Sequence, residues 1–288
     1  MSARMIAAVT ALSLFAAPAF AQDVDGAPVE GPPIPADLDV GNMVTVSLGA
    51  AYGPDYEGSD EYRFIPGAFV RADLGDISIV TRGLKVYADV LPNRDGPGLQ
   101  LDGGPIAGVR LTRTGDVDDE RVDALPELKT AIEVGGYLGL SYKGLTNPYD
   151  KLSLRVDAVK DINGAHSDWV FTPVLDFSTP LSLKTFASVS ASMDIVGDDF
   201  ADTYFGIAPD EVPLHPELTA YDPDGGIKSW SLGLLVGQSL EETLLEGWSL
   251  FGTVNYKRLV GDAADSPLVA DFGTPTQWFV AAGLGYTF

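Results

Sequence analysis

The sequence predicts an all-β protein, a transmembrane antiparallel β-barrel of about twelve strands whose C-terminal strand closes the barrel. The first observation is alternation. From Leu181 to Ile195, apolar residues take almost every second position, with serine, lysine and aspartate between them. Successive side chains of a strand point to opposite faces, so this run indicates one long, two-faced strand. The second observation is an N-terminus typical of exported proteins, and the third is an alternating C-terminal segment that ends in Tyr286-Thr287-Phe288.

Composition excludes several classes of function. The 288 residues carry 41 acidic and 18 basic side chains, for a formal net charge of −23, and include no cysteine. A chain this acidic repels phosphate, so we expect no nucleic-acid partner. The lack of cysteine excludes thiolate metal sites, thiol nucleophiles and disulfides. Hydrophobic residues make up 45% of the chain, which is typical of a folded protein rather than a disordered one.

The N-terminus predicts export. Residues 1–21 combine one basic side chain, Arg4, with a short apolar run and a small-x-small cleavage site, which is the pattern of a secretory signal peptide rather than of a buried core helix. Residues 22–42 are rich in proline, glycine and acidic side chains. Such a segment has little apolar surface to bury, so we expect a disordered periplasmic linker. The barrel is then expected to occupy residues 43–288, in the bacterial outer membrane.

Two architectures produce long alternating strands: a soluble sandwich or barrel with its apolar face inward, and a membrane barrel with that face towards lipid. Many strands of about 12 to 16 residues are long for a soluble sheet and fit a tilted membrane span. Aromatic residues lie near strand ends, where membrane barrels have interfacial girdles; these are Tyr52, Trp169, Trp248, Trp278, Tyr286 and Phe288. The polar faces carry charges of both signs, which suits a crowded, wet lumen; these are Arg63, Arg71, Lys85, Asp89, Arg110, Glu133, Arg155, Asp157, Lys184 and Asp194.

Counting strands back from a periplasmic C-terminus gives an even number, as bacterial barrels require. The predicted strands are 43–53, 61–73, 76–82, 84–91, 98–113, 128–143, 150–161, 168–178, 181–196, 226–239, 246–259 and 275–288. A tight turn is expected at Thr179-Pro180, and every long loop falls on the extracellular side. The short pair within 76–91 is the least regular, and ten strands is the alternative count. The nearest candidate for a helix is Ser239–Leu245.

Four separated segments resemble one known family. Residues 54–63 read Pro-Asp-Tyr-Glu-Gly-Ser-Asp-Glu-Tyr-Arg, 201–206 read Ala-Asp-Thr-Tyr-Phe-Gly, 258–267 read Arg-Leu-Val-Gly-Asp-Ala-Ala-Asp-Ser-Pro, and 283–288 read Gly-Leu-Gly-Tyr-Thr-Phe. Together they resemble the MipA/OmpV family of MltA-interacting outer-membrane proteins. The matching loop residues are Pro54, Asp55, Tyr56, Glu57, Gly58, Ser59, Asp60, Tyr62, Arg63, Tyr204, Phe205, Gly206, Gly261, Asp262, Asp265, Ser266 and Pro267, and the barrel-closing signal is Tyr286 and Phe288. Loop 115–127 resembles a divergent form of the family's Gly-Asp-rich segment.

The resemblance implies a structural protein rather than an enzyme. The resemblance implies an outer-membrane barrel that can act as a scaffold between a lytic transglycosylase and a bifunctional murein synthase. It also implies contact with outer-membrane lipid and lipopolysaccharide, and with the assembly machinery that recognises the closing strand. The alternative function, which follows from a polar lumen, is a narrow channel for small solutes.

The residues offer little for catalysis, and we predict no catalytic site and no cofactor. His166, Ser167 and Asp168 are the residue types of an acyl-transfer triad, but adjacent extended residues point apart. The other histidine, His215, lies in the predicted loop 197–225. An envelope enzyme is therefore the weakest of the three functional hypotheses.

Acidic side chains cluster in the predicted extracellular loops; these are Asp55, Glu57, Asp60, Glu61, Asp198, Asp199, Asp202, Asp210, Asp262 and Asp265. Clustered carboxylates suit Ca²⁺ or Mg²⁺, which would also bridge to lipopolysaccharide phosphates, although no spacing matches an EF-hand. A solvated, extended loop surface is the simpler interpretation. A third is that Asp55, Asp60 or Asp262 pairs with Arg63 or Arg258 and packs the loops over the barrel mouth, and we favour this role over metal binding.

Overall fold

The protein is described by a computed structural model, which covers residues 42–92, 96–210 and 218–288. Twelve antiparallel strands form one closed barrel. The strands are β1 (Met43–Pro54), β2 (Tyr62–Leu74), β3 (Ile77–Arg82), β4 (Lys85–Asp89), β5 (Gly98–Arg110), β6 (Ala131–Lys143), β7 (Lys151–Asp161), β8 (Trp169–Pro180), β9 (Thr185–Val196), β10 (Gly226–Ser239), β11 (Gly247–Leu259) and β12 (Thr276–Thr287). The predicted fold class and strand count are confirmed, and the ten-strand alternative is wrong.

The C-terminal strand closes the barrel. Strand β12 pairs with β1, with Thr45 opposite Thr287 and Tyr52 opposite Val280. The two threonine hydroxyls lie 2.9 Å apart and share a hydrogen bond, and the Phe288 amide donates to the Val44 carbonyl oxygen at 2.9 Å. Closure pairs the backbone groups of the first and last strands, which hydrocarbon cannot hydrogen-bond.

The barrel is apolar outside and polar inside. On β9, Ser188, Ser190 and Ser192 are buried, whereas Val189, between the first two, is 50% exposed. On β10, Ser231 is buried and Leu232 is 52% exposed. The exposed apolar face is the arrangement expected where lipid surrounds the strands. It decides between the two architectures in favour of the membrane barrel.

Aromatic rings form two bands on the outer face. Near the end that carries the long loops, which we call the extracellular end, the Tyr256 and Trp278 rings lie 4.9 Å apart. Near the opposite, periplasmic end, the Trp248 and Tyr286 rings lie 5.0 Å apart, and Phe288 adjoins Tyr286. Amphipathic rings favour membrane interfaces, so the bands mark the two boundaries of the hydrocarbon layer.

Several predicted boundaries were wrong. The strand predicted at 181–196 begins at Thr185, because Leu181–Lys184 form the turn that was placed at Thr179-Pro180. Ser182 Oγ accepts hydrogen bonds from the amides of Lys184 and Thr185, a typical turn contact for serine. Lys184 is therefore exposed in the turn and does not line the lumen. At the other end of the barrel, β5 stops at Arg110 rather than at residue 113.

Four short helices lie in the loops of the extracellular end: α1 (Glu120–Asp123), α2 (Asp198–Phe205), α3 (Gly261–Asp265) and α4 (Pro267–Ala270). The predicted helical candidate Ser239–Leu245 instead forms the bend between β10 and β11. Among the residues described, no helix is long and apolar enough to cross a membrane. The predicted signal peptide and nearly all of the predicted linker lie outside the described residues.

The wall is incomplete beside β2. Strands β3 and β4 have 6 and 5 residues, whereas β2 and β5 have 13 each. The β2–β3 ladder covers only Arg71–Leu74, so the segment Tyr62–Val70, which we call the β2 edge, has no ladder partner on that side within the described chain. Where the ladder stops, Thr81 Oγ1 accepts from the Val70 amide at 2.9 Å and lies 3.5 Å from the Val70 carbonyl oxygen. A side chain thus replaces the missing strand at this residue.

We expect Thr81→Val to destabilise the barrel by about 1–3 kcal/mol, because the Val70 amide and carbonyl lose their hydrogen-bonding partner within the membrane. Thr81→Ser retains the hydroxyl and is the matched control. The measurement is the free energy of unfolding by urea in detergent micelles. Equal stability of the valine and serine variants would contradict a capping role for Thr81.

Candidate functional site at the closed extracellular mouth

The loop segments singled out in the sequence meet over the extracellular mouth. The Tyr56 hydroxyl donates to the Leu268 carbonyl oxygen at 3.3 Å. Ser266 Oγ donates to the Phe205 carbonyl oxygen at 2.6 Å. The β1–β2, β9–β10 and β11–β12 loops are thereby joined to one another, and we call their assembly, with the β5–β6 loop, the cap.

Gly58 is the tightest point of the cap. Its φ of +106° lies in the left-handed region, and an added Cβ would come within 2.6 Å of Val269 Cγ2. The Gly58 amide donates to Gln277 Oε1 at 3.1 Å, and its carbonyl oxygen accepts from the Thr274 amide at 2.7 Å. Only glycine satisfies this backbone conformation and close packing together.

An apolar cluster holds the cap together from within. Its buried members are Tyr56, Val122, Leu125, Ile207, Leu218, Leu268 and Phe272. Val122 and Leu125 come from the divergent loop 115–127, which therefore has a packing role that its sequence did not reveal. On its outer side, the Arg121 guanidinium lies 4.3 Å from the centre of the Phe272 ring.

Beneath the cap, one buried carboxylate gathers three side chains from the barrel wall. Glu133 on β6 is fully buried. Its Oε1 accepts from Arg110 Nε at 2.8 Å, and its Oε2 lies 3.1 Å from Lys85 Nζ. His166 Nε2 lies 3.3 Å from Glu133 Oε1. A charge buried this deeply requires such partners, since isolated it would cost several kcal/mol.

A second ionic cluster ties a cap loop to the wall. Both carboxylate oxygens of Glu57 lie 2.9 Å from Lys228 Nζ, and Oε1 also accepts from Lys257 Nζ at 3.0 Å. Asp194 Oδ2 lies 3.6 Å from Lys228 and 3.7 Å from Lys257. Asp194 further accepts from the Thr172 and Ser229 hydroxyls. Two acids and two bases are thus neutralised inside the mouth.

Helix α2 inserts two aromatic rings between these clusters. Phe200 and Tyr204 are buried, with their rings 4.6 Å apart. The Phe200 ring centre lies 5.0 Å from the Arg110 guanidinium and 5.1 Å from Lys228 Nζ, and 4.9 Å from the His166 ring. Cation–π contacts of desolvated groups contribute favourably, so helix α2 is held on both sides and covers the lumen.

Sequence alternation did not identify Lys228 as a lumen residue. The β9–β10 register shifts between Ile227 and Ser229, and both Lys228 and Ser229 are buried, although adjacent strand residues normally face opposite sides. A β-bulge adds one residue and redirects a side chain in this way. Lys257 follows the alternation with buried Asn255 and Leu259, so the pattern alone was sufficient to place it.

Electrostatics hold Glu57 ionised. Burial by itself would raise the pKa of Glu57, but the Lys228 and Lys257 ammonium groups outweigh it and lower that pKa to about 2. The carboxylate therefore remains charged at neutral and mildly acidic pH.

Asp55 forms the ion pair with Arg63 that was predicted to pack the first loop. Arg63 Nη1 lies 2.6 Å from Asp55 Oδ1, and the Asp118 amide donates to Asp55 Oδ2 at 2.7 Å. Burial raises the pKa of Asp55, although the amide and Arg63 partly offset the effect. Arg258 has a different role from the predicted one, because it donates to Thr276 Oγ1. Asp262 accepts from the Asp224 amide at 2.9 Å.

The remaining predicted residues divide between the cap and the closing strand. Pro54, Ser59 and Pro267 are buried in the cap, and Asp60 is exposed. The Tyr62 hydroxyl accepts from the Trp278 amide at 2.9 Å. Gly206 follows α2, Gly261 and Asp265 lie in α3, and Tyr286 and Phe288 lie at the periplasmic end.

His166, the histidine of the possible acyl-transfer triad, is packed in the interior and does not contact a serine hydroxyl. The His166 ring is buried, and its Nδ1 accepts from the Asp168 amide at 3.3 Å rather than from a serine hydroxyl. Ser167 adopts a left-handed backbone conformation, with φ of +57°. His215 lies outside the described residues.

The acidic loops do not assemble a cation site within the described chain. No group of three or more histidine, aspartate or glutamate side chains there is placed to hold a metal ion. Asp198 accepts from the Gly225 amide, and Asp262 from the Asp224 amide. These two carboxylates therefore fix loop backbone.

Comparison with known proteins identifies one family. The family model described as MltA-interacting protein MipA matches residues 46–288. No curated protein matches the chain. Among solved structures, an outer-membrane channel from Pseudomonas putida F1 is 13% identical, with 91% of this chain and 100% of that chain covered and a TM-score of 0.42. An anion-selective porin from Comamonas acidovorans is 10% identical, with 86% and 98% covered and a TM-score of 0.36. Likenesses this distant carry no argument about function.

We expect Glu57→Gln to loosen the cap. Lys228 and Lys257 would lose the carboxylate that lies within 3.0 Å of both, and breaking a buried pair costs about 3–5 kcal/mol. Hydrogen–deuterium exchange of the α2 amides should accelerate. The control is Glu61→Gln, a change in the same loop at an exposed side chain. Equal protection of α2 in both variants would show that the Glu57 cluster does not hold the mouth closed.

The stabilising contribution of Glu57 should resist mild acid. Because the pKa of Glu57 falls from 4.5 to about 2 on folding, its contribution is fully present above about pH 4.5 and is lost as pH falls through about 2. Exchange protection of α2 that depends on Glu57 should thus be unchanged between about pH 7 and pH 5. In the Glu57→Gln variant, residue 57 should contribute no acid-dependent loss of α2 exchange protection. A wild-type loss of protection near neutral pH that is absent in the variant would contradict this assignment.

Proposed function

We propose that this chain, which belongs to the family described as MltA-interacting protein MipA, is an outer-membrane scaffold that holds murein-cleaving and murein-synthesising enzymes at its periplasmic end. Membership of the family and the closed barrel make it an outer-membrane β-barrel protein. The interaction with MltA for which the family is named supports a murein-enzyme partner. The partners proposed are a lytic transglycosylase and a bifunctional murein synthase.

The observation that carries the proposal is the closed extracellular mouth. Phe200, Glu133 and Ser229 have relative exposures of 0%, so solvent does not reach these side chains beneath the cap. A barrel that fills its own mouth is better suited to anchoring than to free exchange of solutes. The functional contacts of such a protein would then be made by its outer wall and its periplasmic end.

The periplasmic turns present the chemistry of a docking surface. Leu183 is 80% exposed and Leu181 is 63% exposed, in the turn between β8 and β9. Leu240 in the next turn is 53% exposed, beside the exposed carboxylate of Glu241. Apolar side chains with a charged rim are typical of protein contact sites.

The other proposed properties follow from the same role. Export by the signal peptide of residues 1–21 would deliver the chain to the periplasm, and the linker 22–42 would extend from the base of β1. The assembly machinery would recognise the strand that ends at Phe288. Outer-membrane lipid and lipopolysaccharide would surround the apolar wall. We assign no enzymatic activity.

A narrow channel is the second candidate, and one observation favours it. Below the cap, the wall of β9 presents a row of small hydroxyls, Ser188, Ser190 and Ser192, towards the lumen. A polar lining of this kind suits small solutes. Conductance in planar bilayers separates the candidates, because a scaffold with a closed mouth should carry no current above background.

Site-specific photo-crosslinking in cells tests the scaffold. A benzophenone amino acid at Leu183 should capture the murein enzymes, whereas the same group at Glu120, exposed on α1 at the opposite end, should not. The readout is mass spectrometry of the crosslinked bands. Absence of any murein enzyme from Leu183, Leu181 and Leu240 alike, with the barrel present at normal levels, would overturn the proposal.

A further inference from the structure

The periplasmic turn between β8 and β9 has a fixed conformation. The amides of Leu181 and Ser182 both donate to the Thr185 carbonyl oxygen, at 2.8 and 3.1 Å. At the end of β10, the Ser239 amide donates to the Lys184 carbonyl oxygen at 2.7 Å. The turn is thus bonded both to itself and to the start of the next periplasmic turn, and the two turns form one surface.

The register of β9 and β10 brings leucines of the two turns together. Thr185 pairs with Gln238, and the same register continued by two residues places Leu183 beside Leu240. Both side chains are exposed, as is Leu181 in the same turn as Leu183. Three exposed leucines therefore lie on one surface that spans both turns.

These leucines lie at the periplasmic boundary, outside the hydrocarbon layer. On the outward face of β9 and β10, the Thr185 hydroxyl donates to Gln238 Oε1 at 2.7 Å. This polar pair follows the outward-facing Val236 and ends the apolar wall of the two strands. Leu240 lies further out, where its amide donates to the Trp248 carbonyl oxygen at 2.8 Å. The leucines are therefore level with the periplasmic aromatic band and accessible from the periplasm.

The turn between β10 and β11 also has a defined conformation. The Glu241 amide donates to Ser239 Oγ at 3.0 Å. Gly247, at the start of β11, has a φ of +81°, and an added Cβ there would clash with Glu241 Cγ. The Glu241 side chain is thus packed against backbone that only glycine provides.

The rim of the leucine surface is acidic. Glu241, Glu242 and Glu246 are exposed in the β10–β11 turn, and Lys184 is the exposed basic residue of the β8–β9 turn. We call these three carboxylates, with Leu181, Leu183 and Leu240, the periplasmic platform. Lipid phosphates are anionic, so three neighbouring carboxylates disfavour a lipid headgroup as the occupant. Complementary charge steers encounter and rejects wrong partners, so the platform favours a partner that carries lysine or arginine.

We propose that the periplasmic platform binds a basic amphipathic segment of the partner protein. Lysine or arginine side chains of that segment pair with the three carboxylates, and its apolar side chains cover the three leucines. An apolar centre with a charged rim is the usual composition of such contacts. The inference rests on the proposed scaffold function, and it specifies the chemistry by which the scaffold recognises its partner.

The test measures binding of two synthetic peptides to the purified full chain in phosphatidylcholine nanodiscs. One peptide is an amphipathic helix of leucine and lysine, and the other has glutamate in place of every lysine. We expect the leucine–lysine peptide to bind the barrel more tightly than it binds empty nanodiscs, and the leucine–glutamate peptide not to do so. Fluorescence anisotropy of labelled peptide gives both affinities.

Two variants divide the platform into its charged and apolar parts. Loss of three exposed ion pairs should weaken binding of the leucine–lysine peptide about tenfold; the platform variant combines Glu241→Gln, Glu242→Gln and Glu246→Gln. Leu183→Ser should weaken it about tenfold through lost apolar contact. The matched control removes three exposed carboxylates from the extracellular β5–β6 loop and should leave the affinity unchanged; it combines Asp116→Asn, Glu120→Gln and Glu127→Gln.

Each outcome of the peptide assay decides the proposal. Equal affinities of the wild type and the platform variant, or an equal loss in the loop control, would overturn it. Binding to empty nanodiscs as tight as binding to the barrel would also overturn it, because lipid alone would then be sufficient. Heat-dependent gel mobility verifies that all variants form closed barrels.

The murein enzymes provide a second readout in cells. Their crosslinking to a benzophenone amino acid at Leu181 should fall about tenfold in the platform variant and remain unchanged in the loop control. Undiminished crosslinking in the platform variant would overturn this inference and leave the scaffold standing. Absence of murein enzymes from the wild-type crosslinks would instead overturn the scaffold, and the peptide assay would still decide whether the platform binds basic segments.

Discussion

The need to hydrogen-bond every backbone group within hydrocarbon determines the architecture of this protein. Twelve strands closed by the β1–β12 ladder meet that need around most of the wall. Closure in turn fixes which side chains face lipid, because the alternating side chains of a closed strand can face only the lipid or the lumen. Val189 of β9 and Leu232, Leu234 and Val236 of β10 are placed outside, whereas the serines of these strands and Asp194 are placed in a narrow interior.

That interior then has to accommodate charge. Arg110, Lys85 and His166 surround Glu133, and Lys228 and Lys257 surround Glu57. Neither carboxylate would be tolerable alone in a dry space, and neither would the cations. The pairs have a second effect, because they form the base on which the rings of α2 rest. The same groups that neutralise the lumen therefore also hold the mouth shut.

Much of the barrel architecture was predictable from the sequence, because period-two alternation indicates which face of each strand meets lipid. The strand count and the closing strand followed from it, and the Asp55–Arg63 pair was one of the pairings that the charges of the loops suggested. Lys228 did not, since a bulge breaks the alternation at that residue. Helix α2 was missed because its eight residues are too few to show helical periodicity and are stabilised by contacts with distant strands. The turn after β8 was misplaced because Leu181 and Leu183 continue an apolar alternation through residues that are not in a strand.

The Glu57 cluster joins parts of the chain that are far apart in sequence. Glu57 precedes Lys228 by 171 residues and Lys257 by 200. Contacts of such separation form late, because the entropy of closing so large a loop must be offset first. The cluster cannot exist until β10 and β11 have reached the neighbourhood of β1. An unfinished barrel is consequently open at the top, and only a molecule that has completed its assembly becomes sealed.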